Sequence, residues 1–355
     1  MALLALADPT LREDAACFLE RTGGLLELLR GSRVLVTGGT GFFGRWLLLL
    51  LSQANADLGL GLRIDVLSRD PAVFCARHPQ LADSRDIAFH KGNVRDFELS
   101  TPPHDYIIHA AAEASAALNR DEPLLMFDTI VQGTRQVLEY ARRTRPKRVL
   151  FVSSGAVYGV QPPEMSTMPE NYLGCPDQLG LESSYAQGKR AAEHLCALYA
   201  EGFGLSIPIA RCFAFLGPFL PLDRHFAAGN FIADALAGRP INVQGDGTPL
   251  RSYMYPTDLV EWLLTVLLRG ESRRAYNIGS EQAVSIAALA QVVAQAAGGL
   301  PVRIAKQADP NSLPARYVPN TYRAQEELGL SLCCKLPQIV AKTLSYHRAQ
   351  QPKDS

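Results

Sequence analysis

The chain has 355 residues, with 35 basic and 35 acidic side chains and therefore a formal net charge of zero. Apolar residues make up 47% and charged residues 20%, values typical of globular proteins, which excludes disordered, collagen-like and coiled-coil chains. The balanced charge disfavours a nucleic-acid or membrane-surface protein, because such proteins need a basic patch. The length predicts two lobes.

The cysteines and the N-terminus indicate the compartment. Seven scattered cysteines form no CxxC pair and no metal-ligand spacing, a pattern that favours reduced thiols. The N-terminal apolar run has no basic segment before it, so we interpret it as the approach to a helix rather than a signal peptide. The longest apolar run, residues 46–51, is far shorter than the ~20 residues that span a bilayer. We expect a soluble, cytoplasmic protein without a metal, nucleic-acid or membrane partner.

The predicted elements alternate between strands and helices through the first half. Asp8 and Pro9 predict the cap and first residue of an N-terminal helix. Short β-branched runs predict buried strands, and longer apolar stretches between them predict helices. Strands are predicted at 33–37, 63–67, 87–90, 106–109, 148–153 and 205–211, and the main helices at 42–54, 122–145 and 183–199. This alternation predicts an α/β fold with a Rossmann-type, doubly wound parallel sheet.

The second half of the chain has a different composition. Residues 161–181 are rich in Pro, Gly and polar side chains and predict a loop, and beyond Gly217 frequent Pro and Gly predict shorter elements. We divide the chain into three parts and expect the first to pack as a helix on the sheet. The parts are an N-terminal helical extension (1–32), a Rossmann domain (33–217) and, interleaved with it, a smaller C-terminal α/β lobe (218–355).

A glycine loop follows the first strand. Gly38, Gly41 and Gly44 have the spacing GxxGxxG and lead directly into a predicted helix. One glycine makes a tight turn, one lets backbone N–H groups approach a pyrophosphate, and one lets the helix pack on the strand. The helix N-terminus favours negative charge. In this strand–turn–helix context, the loop predicts binding of NAD or NADP.

The end of the second strand bears on the choice between the two dinucleotides. An acidic residue there would bind the ribose hydroxyls of NAD. This chain has Ser68 and Arg69, whose hydroxyl and guanidinium suit a 2′-phosphate, while Asp70 comes one residue later. The sequence favours NADP slightly, with NAD as the close alternative.

A tyrosine and a lysine lie four residues apart near the start of a predicted helix. Tyr185 and Lys189 therefore share one helical face. A phenol with a pKa of about 10 is a poor base at neutral pH, so we expect the Lys189 ammonium and an oxidised nicotinamide to lower the pKa of Tyr185. Ser154 follows a predicted strand and is placed to hold a substrate hydroxyl at the carboxyl edge of the sheet.

Together these residues resemble the extended short-chain dehydrogenase/reductase family, in its nucleotide-sugar epimerase/dehydratase branch. The matching motifs follow one another in family order through most of the chain. They are TGGTGFFG (37–44), GNVRD (92–96), HAAA (109–112), SSGAVYG (153–159), Tyr185 with Lys189, the segment 211–218, GDG (245–247) with Arg251, and YNIG (276–279).

The resemblance implies roles for individual residues. Ser154, Tyr185 and Lys189 would be the catalytic triad, with Tyr185 as acid/base on a sugar hydroxyl and Lys189 on the nicotinamide ribose. The residues implied to line the dinucleotide, besides the loop glycines, are Phe42, Phe43, Asn93, Val94, Ala110 and Ala111.

The resemblance also implies a nucleotide-diphosphate sugar as substrate. Asn230 would hold the diphosphate, and Arg251 and Arg316 would neutralise it, because guanidinium groups bind phosphate oxygens bidentately. Either arginine could instead be a surface salt-bridge residue. Family members commonly form homodimers through the helix that carries the tyrosine and lysine, and we expect the same here.

Two departures from the family pattern point to the reaction. Dehydratases and decarboxylases of the family carry a titratable residue just after the serine, where this chain has Gly155 and Ala156. The family asparagine in RxxN is Ala214. A C4 epimerase needs no further acid, and we expect the small residue 155 to leave room for a keto-sugar to turn over.

We therefore favour an NAD(P)-dependent nucleotide-sugar 4-epimerase that works by transient oxidation and re-reduction. The alternative is an NADPH-dependent 4-keto-sugar reductase, which performs half of the same chemistry. A 4,6-dehydratase or decarboxylase is disfavoured by Gly155. A non-catalytic dinucleotide sensor is the least favoured, because such a protein has no need of the Tyr185–Lys189 pair.

Overall fold

The fold is known from a computed structural model that describes residues 8–112, 116–222 and 226–351. The first seven residues of the predicted extension and the last four of the C-terminal lobe lie outside the described residues. Within this part of the chain the strands are β1 (Arg33–Thr37), β2 (Arg63–Ser68), β3 (Ile87–Lys91), β4 (Tyr106–His109), β5 (Arg148–Ser154), β6 (Ile209–Cys212), β7 (Ile241–Val243), β8 (Leu250–Arg251), β9 (Ala275–Ile278), β10 (Val284–Ser285), β11 (Val302–Ile304) and β12 (Arg316–Tyr317).

The helices follow the strands in alternation through the first half and cluster in the second. They are α1 (Pro9–Leu26), α2 (Phe42–Leu58), α3 (Pro71–Arg77), α4 (Pro79–Ala82), α5 (Ala116–Asp121), α6 (Pro123–Thr144), α7 (Ser184–Phe203), α8 (Ala227–Leu236), α9 (Pro256–Arg269), α10 (Ile286–Ala296), α11 (Tyr322–Leu328) and α12 (Leu336–Gln350). None of these described helices is long and apolar enough to cross a membrane.

One parallel sheet organises the molecule. Its seven strands lie in the order β3-β2-β1-β4-β5-β6-β9, so the chain starts near the middle and winds outward in both directions. This is the Rossmann-type, doubly wound α/β fold that the alternation of elements predicts. Parallel strands bring all their carboxyl ends to one edge, which is where ligands bind in such sheets.

Each strand contributes to both sides of the sheet because successive side chains point to opposite faces. On β1, Val34 and Val36 pack in the core beneath α2 and α9, whereas Leu35 packs in the core beneath α6 and α7. A third apolar core joins α8, α10, α12 and β7 away from the sheet. These elements therefore share a core separate from the two cores of the sheet, while α9 and β9 return to the sheet.

The predicted elements agree closely with the structure in the first half. Strands 33–37 and 106–109 have the predicted bounds, and Asp8 caps α1 by accepting hydrogen bonds from the N–H groups of Thr10 and Leu11. The strand predicted at 205–211 begins later, at Ile209, since Pro208 has no N–H to donate to a neighbouring strand.

Helix α1 does not pack on the sheet as expected. It packs on α2 and α9, because these two helices already cover that face. Its Asp14 is 2% exposed and accepts hydrogen bonds from the Tyr255 hydroxyl (2.5 Å) and from Lys342 Nζ (2.7 Å) on α12. Burial raises the pKa of Asp14, while Lys342 and Tyr255 lower it. The N-terminal helix is thus joined by one buried carboxylate to the last helix.

Candidate active site

The glycine loop connects β1 to α2 at the carboxyl edge of the sheet. Gly38 has φ +77°, and a Cβ there would lie 2.7 Å from the carbonyl carbon of Ala110, just after β4. A Cβ at Gly44 would lie 2.3 Å from Gly39 Cα. Side chains at either position would collide with backbone atoms, so the loop can be tight only with glycine.

The start of α2 is open toward the loop. Gly41 is the N-cap and supplies no side chain to the first amides of the helix. Such amides, together with the positive end of the helix dipole, favour an anionic group. The loop therefore has the geometry that suits the pyrophosphate of a dinucleotide, and the binding roles of Gly38, Gly41 and Gly44 stay a prediction.

The residues predicted at the end of β2 take up different positions. Ser68 is buried, and its hydroxyl lies 3.3 Å from Thr40 Oγ1 of the glycine loop. Asp70 caps α3 by accepting a hydrogen bond from Val73 N (3.4 Å). Arg69 is exposed. Ser68 therefore adjoins the glycine loop.

Two further pairs predicted to line the dinucleotide follow β3 and β4. Asn93 Oδ1 accepts a hydrogen bond from Arg95 N (3.1 Å), which makes a local turn, and Val94 is buried beside α6. Ala110 borders Gly38, and Ala111 N donates to Thr37 Oγ1 (3.3 Å).

The two phenylalanines of the loop begin α2. Phe43 packs edge-on against Phe215, with ring centroids 4.9 Å apart, and Phe42 adjoins Phe43 at 6.0 Å. The predicted dinucleotide residues thus follow the ends of β1, β3 and β4.

Ser154, Tyr185 and Lys189 meet beside this edge. Ser154 ends β5, and Tyr185 and Lys189 lie on the first two turns of α7, which packs on β5. Ser154 Oγ accepts a hydrogen bond from Ala156 N (3.1 Å) and also interacts with the Tyr185 phenol. Lys189 is 3% exposed, and its Nζ donates to Val152 O (2.7 Å).

The protonation of these groups is set mainly by burial. Burial lowers the pKa of Lys189 to about 8. Burial raises the pKa of Tyr185 to about 12, and the interaction with Ser154 offsets only part of that rise. The expected lowering of the Tyr185 pKa is therefore wrong for the chain by itself, because desolvation of the phenolate outweighs the other contributions.

A partly buried polar network that the sequence did not reveal lies next to Ser154 and α7. Glu193 on α7 accepts a hydrogen bond from Ser153 Oγ (2.6 Å) and pairs with Arg211 (2.7 Å). Arg211 also donates to the Tyr158 hydroxyl (2.9 Å), which donates to Asn277 Oδ1 (2.7 Å). This network fixes β5 against α7 and so holds Ser154 and Lys189 in register.

The space beside Gly155 is filled. A Cβ at Gly155 would lie 2.8 Å from the Tyr317 hydroxyl and 2.8 Å from the Phe213 ring. The expectation that residue 155 leaves room for a turning sugar is therefore wrong, since two aromatic side chains occupy that room. The sequence motifs do not point to Tyr317, because it lies 132 residues after Tyr185 and belongs to no local motif.

The predicted substrate residues fall into two groups. Arg251 and Arg316 lie on the paired strands β8 and β12, where Arg251 is opposite Tyr317 and Arg316 is opposite Leu250. Arg316 Nε also donates to Pro163 O (3.1 Å). Asn230 is exposed on α8, in the first part of the C-terminal lobe. Because successive side chains on a strand point to opposite faces, Arg251 shares a face with Tyr317 and Arg316 lies on the other face, while Asn230 lies on a separate element.

The doubly wound parallel sheet and the glycine loop after β1 are typical of dinucleotide-dependent oxidoreductases, and Ser154, Tyr185 and Lys189 lie together at the carboxyl edge of this sheet. The sequence model of the NAD-dependent epimerase/dehydratase family matches residues 34–279. The chain belongs to this family and is an NAD-dependent enzyme. The resemblance read from the motifs is therefore confirmed. The expectation of NAD or NADP is confirmed for NAD, whereas the preference for NADP drawn from Ser68 and Arg69 gains no support.

Individual relatives and structures agree with this assignment. UDP-glucuronic acid decarboxylase 5 of Arabidopsis thaliana is 30% identical over 302 residues, covering 84% of each chain. The dTDP-glucose 4,6-dehydratase DesIV of Streptomyces venezuelae, solved with NAD bound, is 26% identical, with a TM-score of 0.74, and covers 90% of this chain and 97% of its own. The UDP-glucuronic acid 4-epimerase of Bacillus cereus shares the fold, with a TM-score of 0.76 at 21% identity, covering 90% of this chain and all of its own.

Proposed function

We propose that this enzyme is an NAD-dependent nucleotide-sugar 4-epimerase. The observation that carries the proposal is the composition of the site around Ser154. The two residues after it, Gly155 and Ala156, have no titratable group, and the space beside Gly155 is filled by the ring of Phe213 and the hydroxyl of Tyr317. Removing the proton of the C4 hydroxyl and the hydride of C4, and later returning both, needs a single acid/base, and Tyr185 supplies it.

Each residue has a separate part in the proposed reaction. Tyr185 takes the proton of the C4 hydroxyl and later returns it, while Ser154 holds that hydroxyl by a hydrogen bond. Lys189, with its pKa near 8, is an ammonium at neutral pH and donates hydrogen bonds. NAD, when bound, supplies reversible hydride transfer. The glycine loop and the open end of α2 hold its pyrophosphate.

The substrate is a nucleotide-diphosphate sugar in this proposal. Arg251, which lies opposite Tyr317, would pair with a phosphate, and Arg316 on the adjacent strand and Asn230 on α8 would supply further contacts. The similarity to UDP-glucuronic acid decarboxylases makes uridine diphosphate sugars the first to test.

A UDP-glucuronic acid decarboxylase is the second candidate. Relatives with this activity are 30–31% identical over most of the chain. Oxidation at C4 makes a β-keto acid, which loses CO2 readily, so the first step is shared by both reactions. The absence of an acid at positions 155 and 156 is the reason we place this candidate second.

One experiment separates the two candidates. The purified enzyme is incubated with NAD and UDP-glucuronic acid, and separately with UDP-glucose and UDP-N-acetylglucosamine, and the products are followed by proton NMR. An epimerase inverts C4 and keeps every carbon, whereas a decarboxylase gives a UDP-pentose and CO2. Formation of the pentose would overturn the epimerase proposal, and no change with any nucleotide sugar would overturn both.

We also propose a homodimer formed through α6 and α7. Long amphipathic helices pack side by side here, and large apolar side chains on them remain exposed, namely Leu124 (72%), Leu198 (52%) and Phe203 (40%). Light scattering coupled to gel filtration measures the mass directly. A single species of 38.7 kDa would contradict the dimer.

A further inference from the structure

Three groups that can form hydrogen bonds surround the Ser154 hydroxyl, namely Ala156 N and the phenols of Tyr185 and Tyr317. A serine hydroxyl has two acceptor lone pairs and one donor hydrogen. Ser154 Oγ already accepts a hydrogen bond from Ala156 N (3.1 Å). The Tyr317 hydroxyl also interacts with Ser154. If both groups donate to Ser154, its single hydrogen is directed to the third neighbour, the phenol of Tyr185 or the sugar hydroxyl beside it.

Tyr317 is suited to be a permanent donor. Burial raises its pKa and outweighs the interaction with Ser154, which lowers it, so the hydroxyl stays protonated at neutral pH and is able to donate. Its ring packs on Phe213, with centroids 4.7 Å apart. The backbone around it is fixed, since Val318 N donates to Gln161 Oε1 (2.9 Å) and Met168 N donates to Val318 O (2.8 Å).

The same hydroxyl also decides what position 155 can hold. An added Cβ would lie 2.8 Å from the Tyr317 hydroxyl and 2.8 Å from the Phe213 ring, closer than real side-chain contacts allow. The glycine at 155 and the aromatic pair therefore belong together. An acidic side chain at 155 requires that the pair move away.

We propose that Tyr317 is a positioning residue of the active site: its hydroxyl donates to Ser154, directs the serine hydrogen toward Tyr185 and the substrate, and keeps position 155 free of any side chain. Tyr317 thereby makes the enzyme specific for chemistry at C4, because the place of a second acid is occupied. The part of this inference that concerns turnover rests on the proposed function; the steric part does not.

The first test removes only the hydroxyl. In Tyr317→Phe we expect kcat to fall about 10- to 100-fold with KM changed less than about threefold, because the ring remains and the serine loses its orientation. We also expect the limb of the pH–rate profile that reports Tyr185 to move to higher pH by about one unit, since its phenolate loses a hydrogen bond.

The matched control is Tyr199→Phe, which removes a phenol hydroxyl bonded to Glu139 near the far end of the same α7 helix. It should leave kcat and the pH profile unchanged. An unchanged profile in Tyr317→Phe would overturn the positioning role.

The second test needs no substrate. Gly155→Ala is made in the wild-type chain and in Tyr317→Phe, and the midpoint of urea unfolding is measured for all four proteins. We expect Gly155→Ala to lower the midpoint clearly in the wild type and by at most half as much in Tyr317→Phe, because one of the colliding atoms is gone. Additive losses would overturn the steric pairing. If wild-type enzyme turns over no nucleotide sugar, the proposed function fails, and this cycle still decides whether Tyr317 and Gly155 are coupled.

Discussion

The glycine loop and the catalytic cluster both depend on glycine, but for different reasons. At Gly38 and Gly44 the atoms that exclude a side chain are backbone atoms of the fold itself. At Gly155 they are the ends of two side chains, Tyr317 and Phe213. Backbone atoms cannot be exchanged by substitution, whereas side chains can. The glycine loop, which we propose holds the cofactor, is therefore fixed by the fold, while the surroundings of Gly155 can be altered by changing few residues.

The largest effect is expected on the cofactor side. Gly38→Ala places a Cβ 2.7 Å from the Ala110 carbonyl carbon at φ +77°, so the loop must open, and we expect NAD binding to be lost. Calorimetric titration with NAD measures this. Gly59→Ala is the matched control, because φ there is +58° with no atom within 4 Å of the new Cβ. It should cost about 1–2 kcal/mol of stability and leave NAD affinity unchanged. Loss of NAD binding in the control would show that backbone strain alone matters.

The next largest effect is expected on the catalytic rate. Tyr185→Phe removes the acid/base and leaves the ring, so kcat should fall about 10²- to 10⁴-fold. NAD affinity should change by less than about threefold, because the loop that holds the pyrophosphate is untouched. Turnover of the active nucleotide sugar and NAD titration are measured on the same preparation. If the variant kept more than a tenth of the wild-type activity, Tyr185 would not be the acid/base.

A smaller effect concerns stability and pH. Lys189 has a pKa of about 8 in the folded chain against 10.5 unfolded. Between these values the unfolded chain binds more protons, so the free energy of unfolding rises with pH in that window. Below about pH 8 the folded chain bears the full free-energy cost of burying the Lys189 ammonium. Above about pH 10.5 the lysine is neutral in both states, and this cost is absent. The total rise is about 3 kcal/mol.

Other groups titrate in the same range, so the comparison is made with Lys189→Met. Urea unfolding of both proteins without NAD is measured from pH 7 to 10.5. The difference in unfolding free energy, wild type minus variant, should rise across this range. A difference that stays flat would contradict a buried ammonium.

The smallest effect is expected at the arginines of the C-terminal lobe. Arg251→Gln should raise KM for the nucleotide sugar about tenfold, which corresponds to one charge-assisted hydrogen bond. Arg316→Gln should raise it less, because the hydrogen bond that Arg316 makes to Pro163 is exposed, whereas the one from Arg251 is partly buried. Steady-state kinetics give both values. A larger effect at Arg316 would reverse the order of the two residues in substrate binding.

The sequence was informative where local physics decides the structure. A β-branched run followed by glycines predicts β1 and the loop, and Asp8 before Pro9 predicts the start of α1. Ser154, Tyr185 and Lys189 could be named because they lie at strand and helix ends, whose positions follow from the fold. The family assignment rests on the same motifs.

The features of the site that could not be predicted from the sequence depend on contacts between segments that are far apart in the chain. Tyr317 reaches the site from β12, and Glu193 contacts Arg211 only when α7 packs on β5 and β6. The pKa of Tyr185 depends on burial, which no local pattern reports, and it is raised where the sequence suggested that it is lowered. The space expected beside Gly155 is filled by Phe213 and Tyr317, which lie 58 and 162 positions away in the sequence.

The buried carboxylate of Asp14 has a consequence for the way the chain is made. Its partner Lys342 is synthesised 328 residues later. At about 5–20 residues per second, the ribosome takes roughly 15–65 seconds to reach that lysine after Asp14 has been made. Helix α1 is therefore translated long before its carboxylate can be fully paired, since that pairing waits until α12 docks.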